Sequence, residues 1–437
     1  MNATPHFYPP QLAPHVLRWL PGAVVLLCSL LLTAGPNHAL GFDSERFRLS
    51  GFATLGVASG GNDILGYRRN VAQPGQYDGE WSWEPDSLIG LQLDTSLAPS
   101  LDAAIQVVGK KRFNNSLENS IDWAYLRYRH SPGLTFRAGR IGMDLYMLSE
   151  YRNLGFSYLW AKPPMEFYGP TAFFYFEGAD ANYSFRLGEG TFNAKLFLGE
   201  SENQFEFNGK GHEFKLNNLI GAVLGWESSH WRARFTFTSI DFDDDVNDVI
   251  GTELFRDPLT AAYQFGWTEA QAILEDIEVD DNGVNYYSVG LAYENSPWFL
   301  QGEISYLDSD YDVLKSYAGR YISAGYSVGA TTFYTIVAKA KQTESRTTIG
   351  ELPAFLANVP ELIQLQEGVQ SLYDRTYADQ ESLSFGLRWD IRYDTALKLQ
   401  WDRTWVEPAG GVLWEQRETP EKTQTVNTYS INLNFIF

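Results

Sequence analysis

Residues 425–437 read Thr-Val-Asn-Thr-Tyr-Ser-Ile-Asn-Leu-Asn-Phe-Ile-Phe, and their alternation decides the fold. Side chains point to opposite faces along a strand, so Tyr429, Ile431, Leu433, Phe435 and Phe437 share an apolar face while Ser430, Asn432 and Asn434 share a polar one. A soluble sandwich alternates too, but it rarely finishes on an aromatic residue with no polar tail. A sheet that crosses a membrane must close its last strand on its first, because an open edge leaves unpaired backbone groups in lipid. Taken alone, the stretch can also be read as an ordinary buried strand.

The front of the chain points the same way. Residues 22–34 form an apolar run too short to span a bilayer and of the length of a secretory h-region, with Arg18 before it and Ala39-Leu40-Gly41 as a small-x-small cleavage pattern. The expectation is a signal peptide over residues 1–41 and a single domain over 42–437. Leu27 stands where a lipoprotein reading centred on Cys28 would need a small residue. Cys28 is the only cysteine, so the mature chain can hold no disulfide and no thiolate site. A formal net charge of −21 argues against nucleic-acid binding. The mature chain has no apolar run long enough for a membrane helix, so membrane residence requires a barrel.

Strand candidates recur in pairs joined by short turns. Residues 47–58 come first, and the faces Ile89/Leu91/Leu93/Leu97 and Leu101/Ala103/Ile105/Val107 follow around the turn Ala98-Pro99-Ser100. Further pairs are 121–129 with 134–141, 178–187 with 191–199, 219–227 with 231–240, 284–294 with 298–307, 320–327 with 331–341, and 382–392 with 396–405. With the last strand they make about sixteen, with tight turns at one end and long loops at the other, as in a transmembrane barrel. Aromatic residues gather beside the turns, as an interfacial girdle would: Tyr128, Tyr183, Phe185, Phe192, Trp226, Trp231, Tyr293, Trp298, Tyr326, Tyr334 and Trp389. The opposite faces are wet: Asp180/Asn182/Ser184/Arg186, Arg232/Arg234/Thr236/Thr238 and Lys398/Gln400/Asp402/Thr404. Lipid outside and water inside satisfy both faces.

Enzyme readings fail on inventory. Only His130, His212 and His230 remain after the leader, the first and last beside turns and the second in a loop, and none stands in a nucleophile or zinc pattern. No catalytic residue, metal or cofactor is expected. The acidic run Asp241, Asp243, Asp244, Asp245 and Asp248 lacks the glycine turn and distal glutamate of a calcium loop, so it reads as a solvated loop, with divalent bridging to lipopolysaccharide as the minor reading.

The last stretch resembles the C-terminal signature of bacterial outer-membrane barrels, a terminal Phe preceded by apolar residues at every second position. Tyr429, Ile431, Leu433, Phe435 and Phe437 would then serve barrel closure and insertion. A strand ending in Gly139-Arg140, followed by the apolar and aromatic third loop over residues 142–171, resembles the sixteen-stranded general porins of Gram-negative bacteria. That resemblance implies an all-β transmembrane antiparallel barrel with short periplasmic turns, long extracellular loops and an inward-folded third loop. It implies Asp144, Glu150 and Glu166 as loop carboxylates in the constriction and Lys110, Arg127, Arg129 and Arg137 as basic residues of the pore wall. Opposed charges across a narrow bore would orient solutes and set ion preference. Arginines that merely brace the wall by pairing with nearby acids are the alternative.

Implied partners are small hydrophilic solutes or ions, outer-membrane lipid and lipopolysaccharide, the barrel-assembly machinery and a homotrimer, although residues 112–119 are short for a trimer latch. The expected function is a passive outer-membrane diffusion channel. Two rivals stay open. One is a solute-specific, anion-preferring channel using Arg232, Arg234, Lys339, Lys341, Arg388 and Arg392; the other is a closed-barrel receptor or adhesin using the long loops over 241–283 and 342–380. The latter loop carries Leu352, Phe355, Leu356, Val359, Leu362 and Ile363 at helical spacing, interrupted by Pro353 and Pro360.

Overall fold

Alternation along the chain produces sixteen antiparallel strands, each hydrogen-bonded to its neighbours in sequence: β1 (Phe47–Ser59), β2 (Leu88–Ala98), β3 (Leu101–Lys110), β4 (Ile121–Arg129), β5 (Leu134–Gly142), β6 (Tyr175–Leu187), β7 (Gly190–Phe207), β8 (Lys210–Glu227), β9 (Trp231–Phe242), β10 (Gly283–Asn295), β11 (Trp298–Asp308), β12 (Tyr317–Val328), β13 (Thr331–Gln342), β14 (Ala378–Arg392), β15 (Thr395–Gly411) and β16 (Gln424–Ile436). This computed structural model describes residues 46–113, 115–170, 173–207, 210–242, 247, 253–278, 283–309 and 315–437. The expected leader and the acidic residues Asp243, Asp244, Asp245 and Asp248 lie outside the described residues.

The cylinder closes where the last strand meets the first. Ala53 stands opposite Phe435, Leu55 opposite Leu433 and Val57 opposite Ile431. Beyond the strand, Phe437 exchanges both backbone hydrogen bonds with Gly51, at 2.8 and 2.9 Å. Tyr429 and Ile431 are exposed, while Phe435 on the same face is covered.

Large apolar side chains line the outside: Leu91, Ile105, Leu126, Leu196, Leu198, Leu224, Val289, Ile322 and Val337 are all exposed. The girdle is continuous in places, with Tyr183 stacked on Phe185, Phe185 on Phe192, and Trp298 edge-on to Tyr326 at 4.8 Å. Tyr334 is a correction. Phe333 takes the outward place, so Tyr334 points into the lumen and is buried. Val289 sits between the interfacial rings of Tyr287 and Tyr293 on β10. Replacing it with Arg is expected to cost about 2–4 kcal/mol, measured by unfolding in vesicles, because the guanidinium would lie near the hydrocarbon midplane. A cost near zero would mean that this face does not meet lipid.

Two expectations fall short at the outer end. β7 and β8 run past their predicted limits at Gly199 and Leu219, so the backbone of His212 is in a strand rather than a loop. The long loops carry helices: α1 (Glu253–Gln264), α2 (Glu269–Ile277) and α3 (Pro360–Thr376). Leu259, Ala262, Ile273 and Ile277 of the first two belong to one buried cluster with Val369 and Leu372 of the third. The helical spacing from Leu352 does not make a helix up to Val359. Pro360 opens α3 rather than interrupting it, since the first helical position needs no backbone donor.

Candidate pore constriction

Between β5 and β6 the chain turns into the lumen. Its apolar residues dictate this: Met143, Leu145, Leu148, Trp160 and Phe167 are all at or below 1 % exposure, inside a barrel whose bore would otherwise be wet. The first part of the loop is fixed by charge. Lys195 of β7 holds Asp144 at 2.5 Å and Glu150 at 2.9 Å, Arg234 of β9 also pairs with Asp144, and Arg137 of β5 reaches Glu150 at 3.5 Å. Met147 donates its backbone N–H to Glu303 at 2.8 Å. The second part crosses to the far wall. Trp160 donates to Ser323 at 2.7 Å, Ala161 to Tyr334 at 3.0 Å, and Lys162 pairs with Asp402 at 2.9 Å.

The candidate residues therefore divide. Asp144, Glu150 and Arg137 come together with Arg127 around a cavity of about 470 Å³, which Asp180, Lys195, Glu227, Arg232 and Arg234 also line. Glu166 lies apart, buried and bonded by Gln380 at 2.8 Å. Lys110 meets Asn153 at 3.1 Å and the ring of Phe174. Arg127 and Arg129 both grip Asp102, and Arg129 does so beside a turn, where it donates to the carbonyl of Pro99, so these two brace the wall. Lys195 and Arg234 carry most of the geometry. Parity placed Arg234 in the bore, but nothing local to either residue tells which lumen cation meets the loop.

Charges here touch rather than face one another across a gap. Burial opposes ionisation of Asp144, but Lys195 and Arg234 overcome it and hold the carboxyl far below its ordinary range. Lys195 likewise draws Glu150 down against the effect of burial. Burial pushes Glu166 the other way, upward. Among the other basic residues proposed for the bore, Lys339 and Lys341 share the outward face with Phe333 and Val337, where they pair with Glu381 and Asp379. Arg392 sits at a turn beside Asp394.

No curated protein matches the sequence. Among solved structures, OmpF of Salmonella typhi, in complex with daunomycin, aligns at TM-score 0.54 and 9% identity over 91% of this chain and 100% of its own. The outer membrane channel DcaP of Acinetobacter baumannii aligns at TM-score 0.50 and 10% identity over 91% of this chain and 99% of its own. At such identities the likeness is one of fold. The family evidence is the sequence profile described as Gram-negative porin, which matches residues 23–433. The chain belongs to the Gram-negative porin family and is an outer-membrane diffusion channel.

Proposed function

We propose that this porin prefers small anionic hydrophilic solutes. The observation that carries the reading is the layering of charge in the cavity. The side chains of Asp144 and Asp180 are 3% and 1% exposed, lying behind cations, whereas Arg127 and Arg234 keep 35% and 20% of theirs open to the bore. On this wall a passing solute meets these guanidinium groups before it meets either aspartate. In a narrow, low-dielectric passage that arrangement outweighs the distant acidic total.

The test is the zero-current potential of the purified channel in planar bilayers under a potassium chloride gradient. An anion-preferring sign is expected, and a cation-preferring sign overturns the reading. Two carboxylates of the lining stay open, Glu227 and, on the loop itself, Glu150, whose side chain is 51% exposed. Glu150→Gln should therefore strengthen anion preference, by roughly twofold in permeability ratio; no change would place Glu150 outside the ion path. The same reading includes removal of residues 1–41 on export, insertion through the barrel-assembly machinery with the Tyr429–Phe437 face as signal, contact with lipopolysaccharide and assembly as a homotrimer. Mass spectrometry of the mature chain and of the detergent-solubilised oligomer checks the first and the last.

A further inference from the structure

The far half of the constriction loop meets the barrel on one level. In the ladders of β14, β15 and β16, Arg388 stands opposite Lys398 and Lys398 opposite Asn432. Their side chains share the lumen face, since Phe385, Trp389, Leu399 and Ile431 take the outward places. All three donate to loop backbone. Arg388 bonds the carbonyls of Phe156 at 2.8 Å and Tyr158 at 3.0 Å. Lys398 bonds those of Gly155 at 2.5 Å and Trp160 at 2.9 Å, and also that of Tyr158. Asn432 bonds that of Ala161 at 2.7 Å. Apart from one 3₁₀ turn, Gly155–Ser157, the loop here has no regular pairing, so its buried carbonyls need donors from the wall.

Lys398 is the unusual member. It is wholly buried, and among the described residues no carboxylate pairs with it. Three carbonyls take the three N–H groups of its ammonium, a match of donors to acceptors that leaves none over. Burying a cation in this way stabilises a fold less than an apolar side chain of the same volume would, so the residue is better explained by what it positions. The approach is also close. A Cβ at Gly155 would lie 2.1 Å from Asn434 Oδ1 and 2.8 Å from Thr54 Oγ1, so any larger residue would have to push these two side chains aside.

We propose that the rung Arg388–Lys398–Asn432 positions the constriction loop, with Lys398 at its centre as a determinant of bore width and selectivity. Residues 155–161 are drawn to the wall opposite the polar cavity while Asp144 and Glu150 stay paired to β5, β7 and β9, so the loop is held at both ends of its path across the bore. Lys398 acts through the loop and touches no solute, so it is a positioning residue. The inference rests on this loop being the constriction.

Lys398→Met keeps the aliphatic stem and deletes the donors. Single-channel recording should show conductance raised about twofold, noisier open current and weaker ion preference. Heat-dependent mobility in dodecyl sulfate should stay that of a closed barrel, because the strand ladders are untouched. Should that variant fail to assemble, Asn432→Ala and Arg388→Met each remove other ties and should move conductance the same way by less, with Arg388→Lys nearer to wild type than Arg388→Met. Wild-type conductance and noise in all assembled variants would overturn the proposal. Failure of the anion reading is separate: it shows as a cation-preferring wild-type channel, whatever Lys398→Met does to conductance.

Discussion

A chain cut before Gln424 should not form a barrel at all. β16 is paired on both sides: to β15 from Thr395↔Phe435 to Val406↔Gln424, and to β1 from Phe52↔Ile436 to Ser59↔Tyr429. Its removal leaves β15 and β1 as facing open edges at membrane depth. Each unpaired N–H or C=O there costs several kcal/mol, and no water is present to replace the lost partner. The expected result is complete loss of the heat-modifiable band in dodecyl sulfate electrophoresis and of conductance in bilayers. A truncated chain that still gave that band would show that the ends can re-pair across the gap. The single change Phe437→Ala tests something narrower. The two backbone bonds between residue 437 and Gly51 do not need the ring, so the barrel should survive once refolded in detergent, while the yield inserted in cells should fall if the aromatic face is an insertion signal.

The fold was legible in the sequence because lipid imposes a rule that every crossing strand must obey: one face apolar, the other not. Where lipid ends, the rule lapses. β7 runs on to Phe207 and β8 starts as early as Lys210, outside the stretches of clean alternation, because backbone pairing alone suffices in water. The sequence signal that was available there is the Asn-Gly dipeptide at 208–209, a pattern that favours short strand connections. The outer helices were legible only in part. Thr268 before Glu269 and Pro360 at a first helical position are usable start signals, but the apolar spacing around Leu352 suggested an earlier start. A place in the bore for Lys339 and Lys341 went against their own periodicity, since parity with Phe333 and Val337 puts them outside.

The site was harder to read, and the reason is physical. Parity says that a side chain faces the bore; it does not say what else occupies the bore at that height. Arg127, Arg234, Lys398 and Arg388 all point inward. Yet Arg127 braces the wall, Arg234 pairs with a loop carboxylate, and the other two donate to loop carbonyls. These differences arise from where a loop of about thirty residues crosses the cylinder. That path is set by burial of Trp160, Phe167 and their neighbours against particular strands, and no local pattern records it.

Replacing Lys195 and Arg234 together by Met should reverse ion preference. Asp144 lies buried between them, with Arg137 as a more distant contributor. Without these cations the carboxylate is left desolvated and unpaired, a condition that costs about 3–5 kcal/mol where it has been measured in other proteins. The loop start must then lift so that Asp144 can reach water, and the bore loses two positive charges while exposing one negative charge. The zero-current potential should accordingly change sign. Acid separates the two forms further. In the wild type the strongly depressed Asp144 stays ionised, so its ion pairs with Lys195 and Arg234 persist as pH falls from neutrality through the ordinary carboxylate range near 4. The stabilisation from the Asp144 pairs is lost only below that range, as pH falls through its depressed value. In the double variant the two cations that held the Asp144 carboxyl down are gone, it returns upward toward the ordinary carboxylate range, and acidification should neutralise it there and erase the newly gained cation preference. A double variant that still prefers anions at neutral pH would show that Asp144 and its two cations do not govern the passage.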